Sequence, residues 1–337
     1  MTPQNNAISY TRAVATVFVI LIHASTGFLN RFHAEGFDWN FANWINAATR
    51  CSVPLFVMIS GALLLSKEEE TFSFYKKRLP KLCWPFVFWT VIYMIYYFYR
   101  YTHFSTLSSQ KIIAIIQDKI LHGANAHLWF MYMIIGMYLA IPFVKKIVRQ
   151  ASLREIELFL VLWAVAMFIT NKFYYPYTPK IDISFFSGYI GYLILGYYLS
   201  IKDFKVKFWW YLLGYVAILI FTAVMTYMWS SQERQFNPHW YNYVFPNTAL
   251  AAICLFMLLQ KTVSQDRTLP LWVQLTDKYS FGIYLVHILP LNYIHPMLSK
   301  HMNTLWVIPL ATLLTLLSSI GIIILLRKLP YGKYVSG

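Results

Sequence analysis

Charge is scarce in this chain. Only 12% of its 337 residues are Asp, Glu, Lys or Arg, while 58% are hydrophobic. A soluble domain carries about one-quarter charged residues. The shortage excludes an ordinary water-exposed domain, so residues 1–337 read as a single membrane-embedded domain with no separate soluble one. Cysteine is almost missing as well. Cys51, Cys83 and Cys254 form an odd set in or beside apolar stretches, which speaks for free thiols and against a disulfide framework. Acidic residues number 13 against 28 basic ones, for a net charge of +15. The basic residues lie between apolar stretches and no nucleic-acid motif accompanies them, so the excess reads as topology control, with no nucleic-acid partner. The N-terminus has neither a basic n-region nor a small-residue cleavage site, so no removable signal peptide is expected. His33, His103, His122, His239, His295 and His301 sit in loops or near span ends. None has metal-ligand spacing with carboxylates, and no metal is expected.

What the chain has is apolar length. Ten stretches can be drawn, near 11–29, 44–66, 82–100, 127–144, 155–171, 184–201, 208–229, 243–260, 279–298 and 305–326. Backbone polar groups in lipid must be satisfied within the segment, and these lengths suit helices. The expected fold is an all-α integral membrane protein of about ten transmembrane helices. The stretch at 127–144 is the shakiest, because Gly136 and Pro142 could make it short or re-entrant. With the N-terminus inside, roughly two of every three of the 28 Lys and Arg residues fall on inside segments. The other side then holds Arg31, Arg50 and Arg100 among others. That bias predicts both termini in the cytoplasm.

Arg12 and His23 share the first stretch, eleven residues apart. Eleven steps come to about 20° past three helical turns, so both side chains point to one face, about 16 Å apart along the axis. Arg12 lies near a headgroup layer and His23 past the middle of the membrane. Arg12 could simply anchor the helix at the phosphates, and His23 could be a helix–helix hydrogen-bond partner. Titratable groups at that depth are expensive, however, and usually carry function. The outside loops are aromatic, as in ERQFNPHWYNY (Glu233 to Tyr243). Such rings either form an interfacial belt or stack on sugars.

The first stretch, with its basic residue, ten residues and a histidine, resembles the opening of membrane-bound acyltransferase family 3. Four further places are similar to that family and stand in its order: SVPLFVMISGALLL (Ser52 to Leu65), YKKRLPKLCWPF (Tyr75 to Phe86), HLWFMYMIIGMYLAIP (His127 to Pro142) and YSFGIYLVHILP (Tyr279 to Pro290). Together they cover almost the whole chain. The resemblance is to the compact O-acetyltransferase branch, whose members lack a soluble domain. One departure stands out. Larger relatives carry paired glutamates where this chain has Ile134 and Ile135, so no mechanism that needs a carboxylate there transfers to it.

The resemblance implies an enzyme of the bacterial inner membrane. It would move an acetyl group from cytoplasmic acetyl-CoA to a hydroxyl of a cell-envelope glycan or lipid-linked sugar. It implies acetyl-CoA as cosubstrate and no permanently bound cofactor. Arg78, Lys81 and Lys77 would bind the donor phosphates, although the positive-inside rule alone also accounts for that cluster. His23 would be the general base, with Arg12 as its electrostatic support or as a donor ligand. His127, Trp129, Tyr284 and His287 would bind the acceptor or support the site. Ser60 and Gly61 read as a close-packing pair. Two other classes are carried beside the enzyme. One is a transporter of a glycan or lipid-linked sugar, for which repeats and paired broken helices would speak; neither is evident. The other is a purely structural partner in an envelope-synthesis complex.

Overall fold

The computed structural model describes residues 5–102, 107–170, 183 and 186–337. Every regular element among them is helical. In chain order they are α1 (Asn6–Leu29), α2 (Phe37–Thr49), α3 (Ser52–Leu64), α4 (Thr71–Tyr101), α5 (Ser109–His122), α6 (Trp129–Gln150), α7 (Leu153–Ile169), α8 (Tyr189–Ile201), α9 (Phe208–Glu233), α10 (Pro246–Thr262), α11 (Leu271–Val286), α12 (Ile288–Ser299), α13 (Thr304–Lys328) and α14 (Gly332–Val335). Among the described residues seven segments are long and apolar enough to cross a membrane: α1, α2 with α3, α4, α6 with the 3-10 turn before it, α9, α10 with its preceding turn, and α13. The stretch expected at 127–144 is thus a full-length helix. Three more expected spans coincide with α7, α8 and the α11–α12 pair, which are shorter or broken.

The helix α1 is the hub. It packs against α2, α3, α10, α11 and α13. Its start is tied down by Asn6, whose amide donates to the carbonyls of Arg267 (2.8 Å) and Ser264 (3.1 Å). That fixes the register of Arg12 against α11. The tightest pairing is between α3 and α8. A Cβ on Gly61 would lie 1.8 Å from the Leu193 carbonyl oxygen, and one on Gly196 would lie 2.0 Å from that of Met58. The expected packing role of Gly61 is therefore visible in the backbone approach. The middle of α8, from Gly191 to Gly196, is wholly enclosed by protein.

Two spans are interrupted, and proline accounts for both. Pro54 has no N–H to give to the Arg50 carbonyl, and Pro290 has none for Val286. The helix pauses at Arg50–Cys51 and at His287. The first pause corrects the placement of Arg50. Its helix begins at Phe37 and not near residue 44, so Arg50 stands midway along a 28-residue span, not at its outer end. Another difference lies between α4 and α6. The expected loop contains α5, whose Ile113, Ile120 and Leu121 stay exposed. Its polar residues break up the apolar run, so window hydropathy passes over it.

Candidate active site

Three histidines far apart in sequence meet inside the bundle. The ring centroids of His23 and His287 are 5.1 Å apart, those of His127 and His287 5.1 Å, and those of His23 and His127 6.3 Å. His127 and His287 are buried, whereas His23 is only half-buried. His127, which the resemblance placed in acceptor binding or in support of the site, lies in the 3-10 turn that opens α6, packed against Tyr93 at 5.0 Å and Tyr284 at 5.5 Å.

Backbone carbonyls set the hydrogen on His287. Its Nδ1 lies 2.7 Å from the Tyr284 oxygen and 3.2 Å from that of Ile283. Carbonyls only accept, so Nδ1 carries the hydrogen and Nε2 keeps a lone pair. That Nε2 is buried without a partner. The ring of His127 sits between Asn125 Oδ1, 3.1 Å from Nδ1, and the Leu285 carbonyl, 3.4 Å from Nε2. A neutral ring can donate to only one of them. The Tyr284 hydroxyl donates to the His127 carbonyl, and that of Tyr93 to the Leu285 carbonyl at 2.9 Å. Both phenols therefore hold backbone in place. Among the described residues no group of three or more His, Cys, Asp or Glu is placed to hold a metal ion. All three cysteines are free thiols.

A cavity of about 1150 Å³ lies at the end of the bundle where α1 and α4 begin and reaches Tyr284, while the three histidine rings are not part of its wall. Arg12, Lys77, Arg78 and Lys81 all line it. Arg78 and Lys81 share a face of α4 at the three-residue spacing. Lys76, Arg327 and Lys333 add to the basic lining, and sequence reasoning had given the last two no role beyond topology. Ile59, Phe130, Ile134 and Tyr284 make another part of the wall apolar. Ile134, at a place larger relatives fill with glutamate, contributes only apolar surface. Tyr284 belongs both to this wall and to the histidine cluster.

The basic residues differ in their partners. Arg12 forms an ion pair with Asp277 of α11, so it does not snorkel to lipid. Lys77 and Arg78 each reach Glu69 at 3.0 Å. Hydrogen bonds from Lys77, then Arg78, hold the Glu69 carboxyl below its usual range, so it is ionised at neutral pH. Lys81 has no acidic partner among the described residues. Glu69 also lines a smaller cavity of about 500 Å³ with Lys145, Lys146 and Arg149. Trp129 stands apart from the histidines. Its ring is 5.5 Å from Tyr243 and 6.1 Å from Tyr189.

Asp277 and Glu69 had escaped sequence reasoning. An acid near a span end gives no sign of which base it will meet, because the partner of Asp277 lies 265 residues away.

Neither a comparison with curated proteins nor one with solved structures found a match. Residues 5–325, nearly the whole chain, match the profile of a family described as an acyltransferase domain. A histidine cluster that shares Tyr284 with the wall of a basic, partly apolar cavity, set among helices long enough to cross a membrane, suits such chemistry, and this multi-pass membrane protein belongs to acyltransferase family 3.

Proposed function

We propose that the protein is an O-acetyltransferase of the bacterial inner membrane. It transfers acetyl from cytoplasmic acetyl-CoA to a hydroxyl of an envelope glycan or lipid-linked sugar. In this reading it belongs with the compact branch, similar to the O-acetyltransferase of enterobacterial common antigen. Both termini lie in the cytoplasm and about ten helices cross the bilayer. The observation that carries the reading is the cavity lined by Arg12, Lys77, Arg78 and Lys81 that shares Tyr284 with the histidine cluster. The donor's phosphates suit a basic mouth through charge-assisted hydrogen bonds. Its narrow pantetheine arm suits the apolar wall, and the thioester then comes to the histidines.

His23 is the general base. It is the accessible member of the cluster, and no hydrogen bond to the described residues occupies its ring. His23 takes the acceptor hydroxyl's proton while that oxygen attacks the thioester carbon. The carbon–sulfur bond breaks and CoA leaves as the thiolate, which takes up the proton from the imidazolium. His287 and His127, held by backbone carbonyls and Asn125, position the base. Arg12 supports the site electrostatically through its Asp277 pair. Trp129 contributes to acceptor binding.

The test uses purified protein in lipid nanodiscs with labelled acetyl-CoA and lipid-linked glycans. His23→Ala should bind acetyl-CoA with unchanged affinity while transfer falls by about 10² to 10⁴, the usual cost of losing a general base. His23→Gln should fail equally, because an amide keeps hydrogen bonding and cannot take a proton. Transfer should fall as pH is lowered, since the working form is the neutral ring. Near-normal transfer by His23→Gln would move the base to another group. His287 would be first in line, because its Nε2 lone pair is unoccupied.

A further inference from the structure

Arg50 is a cation that the donor cavity does not use. It stands at the pause between α2 and α3, midway along a membrane-length span. Among the described residues no carboxylate pairs with it. Its guanidinium lies over the rings of Tyr241, at 4.6 Å, and Tyr243, at 5.6 Å. Its one hydrogen bond goes from Nη1 to the Tyr243 hydroxyl at 3.3 Å, and its Nε is buried without an acceptor. Arginine offers five N–H donors, so most of them are unspent. A guanidinium at this depth without an anion is expensive, and ring faces offset only part of that.

The surroundings are fixed and aromatic. The Tyr241 hydroxyl is hydrogen-bonded to Asn43. The Tyr243 carbonyl accepts from Tyr192 at 2.6 Å. Trp129 lies over Tyr243 with a tilt of 30°, and both rings are partly accessible. The result is an aromatic wall ending in an under-used guanidinium, and its Trp129 is two residues from His127, whose ring lies 6.3 Å from that of His23. Aromatic faces take the apolar faces of sugar rings. Arginine takes carboxylate or phosphate in a fork.

We propose that Arg50, seated over the buried Tyr241 and flanked by the rings of Trp129 and Tyr243, is an acceptor subsite that binds an oxyanion carried by the sugar, so that the preferred acceptor is acidic. This deepens the proposed function and rests on it for the word acceptor. The oxyanion is either a sugar carboxylate or a sugar phosphate. It occupies the free guanidinium donors while the ring lies on the aromatic wall and a hydroxyl faces His23.

The test measures binding without acetyl-CoA, by thermophoresis of the full chain in nanodiscs. The probes are octyl glucoside, octyl glucuronide and octyl glucosyl phosphate. At least one acidic probe should bind about tenfold tighter than the neutral one, as expected for hydrogen bonds to a charged group. The stronger acidic arm identifies the anion. In Arg50→Gln the preference should shrink to about twofold or less, with acetyl-CoA binding unchanged. Should that variant fail to fold, Arg50→Lys keeps a charge without the fork and should show a reduced preference. Equal binding of all three probes by the wild type overturns the proposal. So does an acidic preference that survives in Arg50→Gln, which would show that another group binds the anion. A protein that prefers acidic probes but transfers no acetyl group leaves the subsite standing and overturns the enzymatic reading. Transfer with no acidic preference does the reverse.

Discussion

A guanidinium at the edge of the hydrocarbon needs an anion or water within reach, and Arg12 has Asp277 and a cavity wall. Its side chain is 26% exposed and that of Asp277 10%, so the pair is screened less than a surface pair and more than a core one. A double-mutant cycle with Arg12→Ala and Asp277→Ala, read by thermal unfolding, should give a coupling of about 0.5–3 kcal/mol. Strict additivity would mean that the two charges act independently. Arg78 and Lys81 should separate in a different way. Arg78 spends part of its fork on Glu69, whereas Lys81 does not. Arg78→Ala should therefore lose both donor binding and some stability, and Lys81→Ala should lose donor binding alone. Removing one charge-assisted contact, at about 1.5–3 kcal/mol, should raise KM for acetyl-CoA about tenfold or more. A fall in kcat with KM unchanged would take both residues out of the donor site.

At the scale of elements, close approach and interruption matter more than hydrophobicity. The α3–α8 contact depends on two missing Cβ atoms. Gly61→Ala and Gly196→Ala would each place a carbon against backbone, which cannot swing aside as a side chain can. Each should destabilise the fold by about 1–3 kcal/mol, read by thermal unfolding in detergent. Gly136→Ala is the matched control, since nothing lies within 4 Å of its added carbon. If all three variants melt alike, the contact is looser than described. The sequence made the helices legible because apolar runs of spanning length have few alternatives in lipid. It made the shared face of Arg12 and His23 legible because helical periodicity is local. It did not reveal α5, where polar residues mask an amphipathic helix, or the mid-span position of Arg50, because the apolar run starts later than its helix. The meeting of His23, His127 and His287 was also hidden. It depends on contacts between residues more than 100 apart, which no local pattern encodes.

At the scale of the molecule, crossing number and cavity constrain each other. Seven crossings, an odd number, would leave the chain's ends on opposite sides of the membrane. Yet Arg12, near the start of α1, lines the same cavity as Arg327 in the last turn of α13 and Lys333 beyond it. Both ends of the helical region thus stand at one end of the bundle, which calls for an even number of crossings. On the proposed topology α7, α8 and the α11–α12 pair supply three further crossings. α8 and the α11–α12 pair are packed against longer helices, so protein can cover backbone that lipid could not, whereas α7 is an unbroken 17-residue helix whose own hydrogen bonds satisfy its backbone. In the proposed function that end faces the cytoplasm and acetyl-CoA, in keeping with its excess of Lys and Arg. Reporter tags at residues 1 and 337 should both give a cytoplasmic signal, and a tag between Glu233 and His239, beyond α9, should give a periplasmic one. Ends on opposite sides would mean that one of the three short elements does not cross. Both ends in the periplasm would turn the basic cavity away from acetyl-CoA and remove the donor site from the proposed function.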